Sequence, residues 1–134
     1  MKTTTLMSSA LLALSVGIVS AQNKTETLSS GVKIEHLKEG SGASPTAADT
    51  VVAHYRGTLP DGQEFDSSYK RGEPIEFGLT QVIPGWTEGM QLVGKGGMIE
   101  LLIPSNLGYG KRGAGGAIPP DATLHFLVEL IDVH

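Results

Sequence analysis

The chain has 134 residues, no cysteine and a formal net charge of −4 at pH 7, from 14 acidic against 10 basic side chains. With no thiol there can be no disulfide, cysteine nucleophile or cysteine-based zinc site. The acidic balance argues against nucleic acid or an anionic membrane surface as partner, and the length suits one domain.

The first twenty-one residues read as an address. Met1-Lys2 supplies a positive start, the run from Leu6 to Val19 is apolar but too short to span a bilayer, and Val19-Ser20-Ala21 offers small residues for cleavage. A signal peptide over residues 1–21 sends the chain to the periplasm or the medium and leaves 113 of the 134 residues. Residues 22–30 (QNKTETLSS) are polar and expected to be a flexible tail, so the domain is placed at 31–134. Asn23-Lys24-Thr25 matches a glycosylation acceptor, of consequence only in a eukaryotic secretory pathway.

Gly31 to His36 alternates and predicts a first strand, and residues 39–50 a Gly/Ser/Pro/Ala loop. Val51 to Leu59 predicts a second strand with Val51, Ala53, Tyr55 and Leu59 on one face. Pro60-Asp61-Gly62 is a turn, Gln63-Glu64-Phe65 resumes the extended chain, and Asp66-Ser67-Ser68 is expected to break it. Loop continues from Lys70 to Pro74, ahead of a short strand at Ile75-Glu76-Phe77. Pro84 suits the first turn of a helix on which Trp86, Met90 and Val93 share one face, and Gly94-Lys95-Gly96-Gly97 stops it. So short a helix is marginal alone, so a sheet must wrap around it. Met98 to Ile103 reads as a central strand ended by Pro104, residues 105–120 as a long loop, and Thr123 to Val133 as the longest strand. The fold class is α+β: an antiparallel sheet of five to six strands around one short helix.

Several motifs lack the context their chemistry needs. Gly108-Tyr109-Gly110-Lys111-Arg112-Gly113 fits a dinucleotide fingerprint, but Ala114 to Pro120 cannot continue as the helix it requires. Gly89 to Gly96 nearly matches a P-loop yet lacks the Ser/Thr for magnesium and falls on the amphipathic helix. His36, His54, His125 and His134 show no ligand spacing, and no nucleophile elbow or carboxylate pair is visible. No metal or cofactor is expected, nor any bond-cleaving chemistry.

What remains is aromatic. The seven rings are Tyr55, Phe65, Tyr69, Phe77, Trp86, Tyr109 and Phe126. They can serve as plain core, but Tyr109 lies among glycines in a polar loop, and rings with a few polar groups at a concave mouth make a ligand pocket. Trp86 is expected to floor it.

The ordered blocks Val51-Val52-Ala53-His54-Tyr55-Arg56-Gly57, Asp61 to Ser68, Val82-Ile83-Pro84-Gly85-Trp86-Thr87-Glu88-Gly89, Leu107-Gly108-Tyr109-Gly110 and Ile118 to Leu130 resemble those of the FKBP-type peptidyl-prolyl isomerases, macrolide-binding immunophilins, over residues 31–133. The resemblance implies a half-open antiparallel sheet around the Trp86 helix. It implies a catalytic pocket of Tyr55, Phe65, Asp66, Trp86, Tyr109 and Phe126, with Phe77, Val82, Ile83, Ile118, Arg71 and Ile75 binding substrate. The Ile83 backbone N–H and the Tyr109 phenol would hold the ligand, and Tyr55 and Arg71 would orient Asp66. From its residue type alone, Asp66 serves equally as a turn cap. Ile75 and Leu107 stand where many or some members carry phenylalanine and tyrosine. The implied partners are proline-containing polypeptides and macrolide inhibitors, and the implied state a monomer. A non-catalytic peptide-binding module or holdase is the rival from another class.

Overall fold

The computed structural model describes residues 24–134, so the signal peptide assigned to 1–21 lies outside the described residues. Seven strands form one antiparallel sheet: β1 (Lys24–Thr27), β2 (Lys33–Lys38), β3 (Thr50–Thr58), β4 (Glu64–Ser67), β5 (Ile75–Gly78), β6 (Met98–Ile103) and β7 (Leu124–Val133). Their order is β1-β2-β6-β7-β3-β4, with β5 also pairing with β3. β4 takes Arg56 to Thr58 of β3, and β5 takes Thr50 to Ala53. β3 and β7 are the long central strands, in register from Val51↔Val133 to Thr58↔His125 with one irregularity between Val52 and Ala53. Another interrupts β3 against β4 between Gly57 and Thr58. Such bulges bend strands, which lets the sheet curl.

The curl holds one helix of two turns, α2 (Pro84–Met90), preceded by a single helical turn, α1 (Ser68–Arg71). Pro84 opens α2 with helical φ and no orphan N–H, but no side chain caps it. It depends on packing, and two glycines permit close approach. A Cβ on Gly85 would lie 2.5 Å from Ile103 Cγ2, and one on Gly89 2.5 Å from Leu101 Cδ2, so α2 rests directly on β6. The expected face is the buried one: Trp86, Met90 and Val93 all lie in the core. The helix ends at Met90, with Gln91 closing it, and Leu92 and Val93 carry the buried face on through turns held by bonds to Gly89 O and Met90 O. Around it pack Ile34, Val51, Ala53, Ile99, Leu101, Ile103, Leu124, Val128 and Leu130, all fully buried.

Three local expectations fail for physical reasons. Residues 24–27, expected in the flexible tail, form β1 and pair with β2 from Lys24↔His36 to Thr27↔Lys33. Polar composition hides this strand, whose hold is a backbone ladder plus a 2.7 Å bond between Glu26 Oε2 and Nε2 of the buried His36. It brings the sheet to seven strands where five to six were expected. At the second site β4 does end within Asp66-Ser67-Ser68, but only after Ser67. Ser67 then caps α1 by accepting from Lys70 N, and Gly72 ends it at φ 81°, so part of the expected loop is a helical turn. No helix among the described residues is long and apolar enough to cross a membrane.

Candidate functional site: an aromatic cup

At the start of α2 the curled sheet leaves a cavity of about 410 Å³ lined by Tyr55, Phe65, Asp66, Phe77, Gln81, Val82, Ile83, Trp86, Tyr109 and Phe126. Each element supplies its ring for a local reason. Inward alternation on β3 gives Tyr55 and on β7 gives Phe126, both buried. β4 brings Phe65 and Asp66, and β5 brings Phe77. Trp86 sits in the first turn of α2 and is only 3% exposed. The segment before it is tied down where Thr87 Oγ1 donates to Leu79 O at 2.6 Å. Tyr109 comes from the long loop, which is held by backbone bonds from Gly110 N to Ser105 O and from Asp121 N to Gly110 O at 2.8 and 2.9 Å. It stays 41% exposed at the mouth.

The indole is the hub. Its ring centre lies 5.5 Å from Tyr55, 5.1 Å from Phe77 and 5.4 Å from Phe126, with interplanar angles of 87°, 60° and 88°. Phe65 meets Phe126 edge to face at 5.5 Å. Near-perpendicular rings at such distances attract through their quadrupoles, which stiffens the wall.

One rim is charged. The Tyr55 hydroxyl donates to Asp66 Oδ2, Arg71 Nη1 donates to Asp66 Oδ1 at 2.7 Å, and Ser67 N donates to the same oxygen at 2.9 Å. Arg71 Nη2 also donates to the Tyr55 oxygen at 3.1 Å. Burial works to raise the Asp66 carboxyl, but the bonds from Tyr55, Arg71 and Ser67 outweigh it and hold the group below the usual aspartate value. Burial, reinforced by the Asp66 bond, pushes the Tyr55 phenol up. Both directions favour the same protonation pattern at neutral pH: phenol neutral, carboxylate ionised. Among the described residues no three His, Asp or Glu side chains gather as a metal site.

Most residues named from the resemblance thus meet at one cavity, and three do not line it. Arg71 stands at the rim and reaches the site through Asp66 and Tyr55. Ile75 pairs with Ala53 and packs against the core from β5. Ile118 is 4% exposed within the core, bridged to Ala114. Gln81 was missed. As a polar residue in a short connection it has no periodic signal; its place just before Val82-Ile83 was the only clue.

A half-open sheet curled about one short helix, with a ring-lined cup at the helix start, defines a domain built to receive a small apolar group at its surface. The chain belongs to the FKBP-type peptidyl-prolyl cis-trans isomerase family, whose model matches residues 42–131. It is 55% identical over 108 residues to the FKBP-type peptidyl-prolyl cis-trans isomerase FkpA of Escherichia coli strain K12, covering 81% of this chain and 40% of that protein. The crystal structure of FkpA from Escherichia coli superposes with a TM-score of 0.79 at 53% identity, over 84% of this chain and 53% of that one. A peptidyl-prolyl cis-trans isomerase from Pseudomonas syringae pv. tomato DC3000 gives a TM-score of 0.77 at 38% identity, over 87% and 86% of the two chains. The chain therefore spans about two-fifths of the length of the curated FkpA relative it matches.

Proposed function

We propose that this chain is a peptidyl-prolyl cis-trans isomerase that speeds rotation about Xaa-Pro bonds in proline-containing polypeptides, without a cofactor. The carrying observation is the open cup with Trp86 at its centre, walled by Tyr55, Phe65, Phe77 and Phe126. Rotation about a peptide bond must cross about 18–20 kcal/mol because the twisted amide loses resonance. Both prolyl isomers are populated, and uncatalysed exchange takes tens of seconds or longer. Twisting also removes charge separation, so the rotated amide asks less of its solvent than the planar one. An apolar cup disfavours the planar form more than the twisted one, and a prolyl ring held on the indole limits the search for the rotated geometry. Every ~1.4 kcal/mol of such difference is tenfold in rate.

Asp66, kept ionised by three donors, forms a fixed negative edge and does not shuttle protons. The Ile83 N–H and the Tyr109 hydroxyl, neither with a partner among the described residues, are the groups placed to hold a carbonyl. Macrolides of the kind the family binds would fill the same cup. We read residues 1–21 as a leader, which directs the activity to exported proteins, and we read the domain as a monomer.

Exchange spectroscopy on a Leu-Pro peptide tests this. The wild type accelerates exchange over buffer, a macrolide blocks it, and Trp86→Ala abolishes most of it. Exchange at the buffer rate refutes the reading; retained peptide binding with no acceleration would identify a binding module or holdase.

A further inference from the structure

Polar groups on the cavity wall divide into those already engaged and those free. The Tyr55 hydroxyl and the Asp66 carboxylate are engaged with each other and with Arg71. Gln81 is different. Its backbone N–H bonds to Gly78 O at 2.9 Å, which fixes the turn, but its side-chain carboxamide has no hydrogen-bond partner among the described residues. The amide lies back over Gly78, where a Cβ would sit 3.4 Å from Gln81 Oε1. Gln81 stands on the cavity wall and is open to solvent.

A carboxamide donates and accepts at once, as a peptide group does. A carboxylate or ammonium in its place would select by charge; an amide selects for backbone. We propose that Gln81 is a specificity-determining binding residue that hydrogen-bonds a substrate peptide group beyond the Xaa-Pro unit. The cup thereby favours an extended polypeptide over an isolated Xaa-Pro unit. This deepens the isomerase reading and rests on it. An unengaged, solvated amide costs nothing in the free protein, so its bond is gained only when chain runs past the cup.

The test compares a blocked Leu-Pro dipeptide with a hexapeptide centred on Leu-Pro, using wild type and Gln81→Met, which keeps side-chain length and removes both hydrogen-bonding functions. Exchange spectroscopy gives kcat and KM, and the sole tryptophan at the cavity gives binding by fluorescence titration. The variant should raise KM for the hexapeptide about threefold to tenfold, the span of one ordinary hydrogen bond, with kcat held and any loss on the dipeptide clearly smaller. An equal loss on both peptides overturns the proposal, since that reports a reshaped cup, and so does no loss on either. If the wild type binds the hexapeptide but does not speed its exchange, the isomerase reading fails alone. The titration still decides the role of Gln81: hexapeptide binding weakened in the variant supports it, and unchanged binding overturns it.

Discussion

Gly57 is where the sheet makes room for the cup, and replacing it with alanine tests whether the aromatic wall is as tightly set as the packing indicates. In register Gly57 faces Asp66 of β4 on one side and Phe126 of β7 on the other. A Cβ there would lie 2.5 Å from Phe65 Cζ, 2.8 Å from Phe65 Cε1 and 2.9 Å from Phe126 Cε1. Non-bonded carbons settle at about 3.5–4.0 Å, so the Phe65 ring must retreat by about 1 Å. It cannot retreat alone, because Phe65 and Phe126 meet edge to face at 5.5 Å, and Phe126 in turn meets Trp86 at 5.4 Å. Both displaced rings line the cavity, so the space they take is substrate space. Overpacking of this kind costs about 1–3 kcal/mol, which lowers the urea midpoint by about 1 M at the slopes usual for small domains. The same shift should lower kcat/KM about tenfold or more, as each ~1.4 kcal/mol of lost complementarity is worth that factor. Urea unfolding followed by tryptophan fluorescence and prolyl exchange well below the midpoint can use one preparation. Lost stability with wild-type kcat/KM would show that the rings yield into the core and not into the cup. Unchanged stability would refute the close packing itself.

Two pH predictions follow from the groups whose protonation the fold biases. Asp66 has a folded value below its unfolded one, so its contribution is present above the unfolded value near 4 and disappears as pH falls through the lower folded value. Wild type should therefore exceed Asp66→Asn in urea midpoint at pH 7, with the gap closing as pH falls below the ordinary aspartate value near 4. The carboxylate is 40% exposed, so the gap is small, about 1 kcal/mol or less; a gap independent of pH would sink the assignment. Tyr69 runs the other way. Burial first, and its bond to Glu129 next, push its phenol up to about 12, so the stabilisation is full below the ordinary value near 10 and is lost as pH rises toward 12. Tyr69→Phe should flatten the alkaline loss of stability, and tyrosinate absorbance should show one late-titrating ring missing; unchanged titration would contradict it.

Legibility in the sequence followed the kind of force at work. β3, β6 and β7 could be read to within a residue or two because they bury one face or both, and burial leaves alternating or continuous apolar runs. β1 could not, since its order comes from a backbone ladder and the Glu26–His36 bond, neither of which leaves a hydrophobic pattern. α1 was hidden for a similar reason: Ser67 and Gly72 cap a single turn whose only deeply buried residue is Ser68. Of the site, residue-level reasoning reached Trp86 and Tyr109, the first by helical spacing and the second by its odd company. The convergence of Tyr55, Phe65, Phe77 and Phe126 is a matter of tertiary register, and only the family resemblance placed them together in advance. The same resemblance set Ile75 and Ile118 among the substrate-binding residues; Ile75 lies two residues before Phe77 on the same face of β5, and Ile118 is buried beside the cup.

The parts that hold the domain together are also those that set the cup. An uncapped helix of seven residues has little stability of its own, so the position of Trp86 is whatever β6 allows through Gly85 and Gly89. The walls are then fixed from the opposite side, where β3 pairs with β4, β5 and β7 and so brings four ring-bearing strands into one register. A floor set by one part of the sheet and walls set by another leave the cavity no independent way to collapse. Closing it requires α2 to lift from β6 or the rings to leave their edge-to-face contacts, and either move exposes core. An apolar hollow can therefore stay open in water without a ligand to support it, which is what an isomerase needs if it is to release one prolyl peptide and accept another.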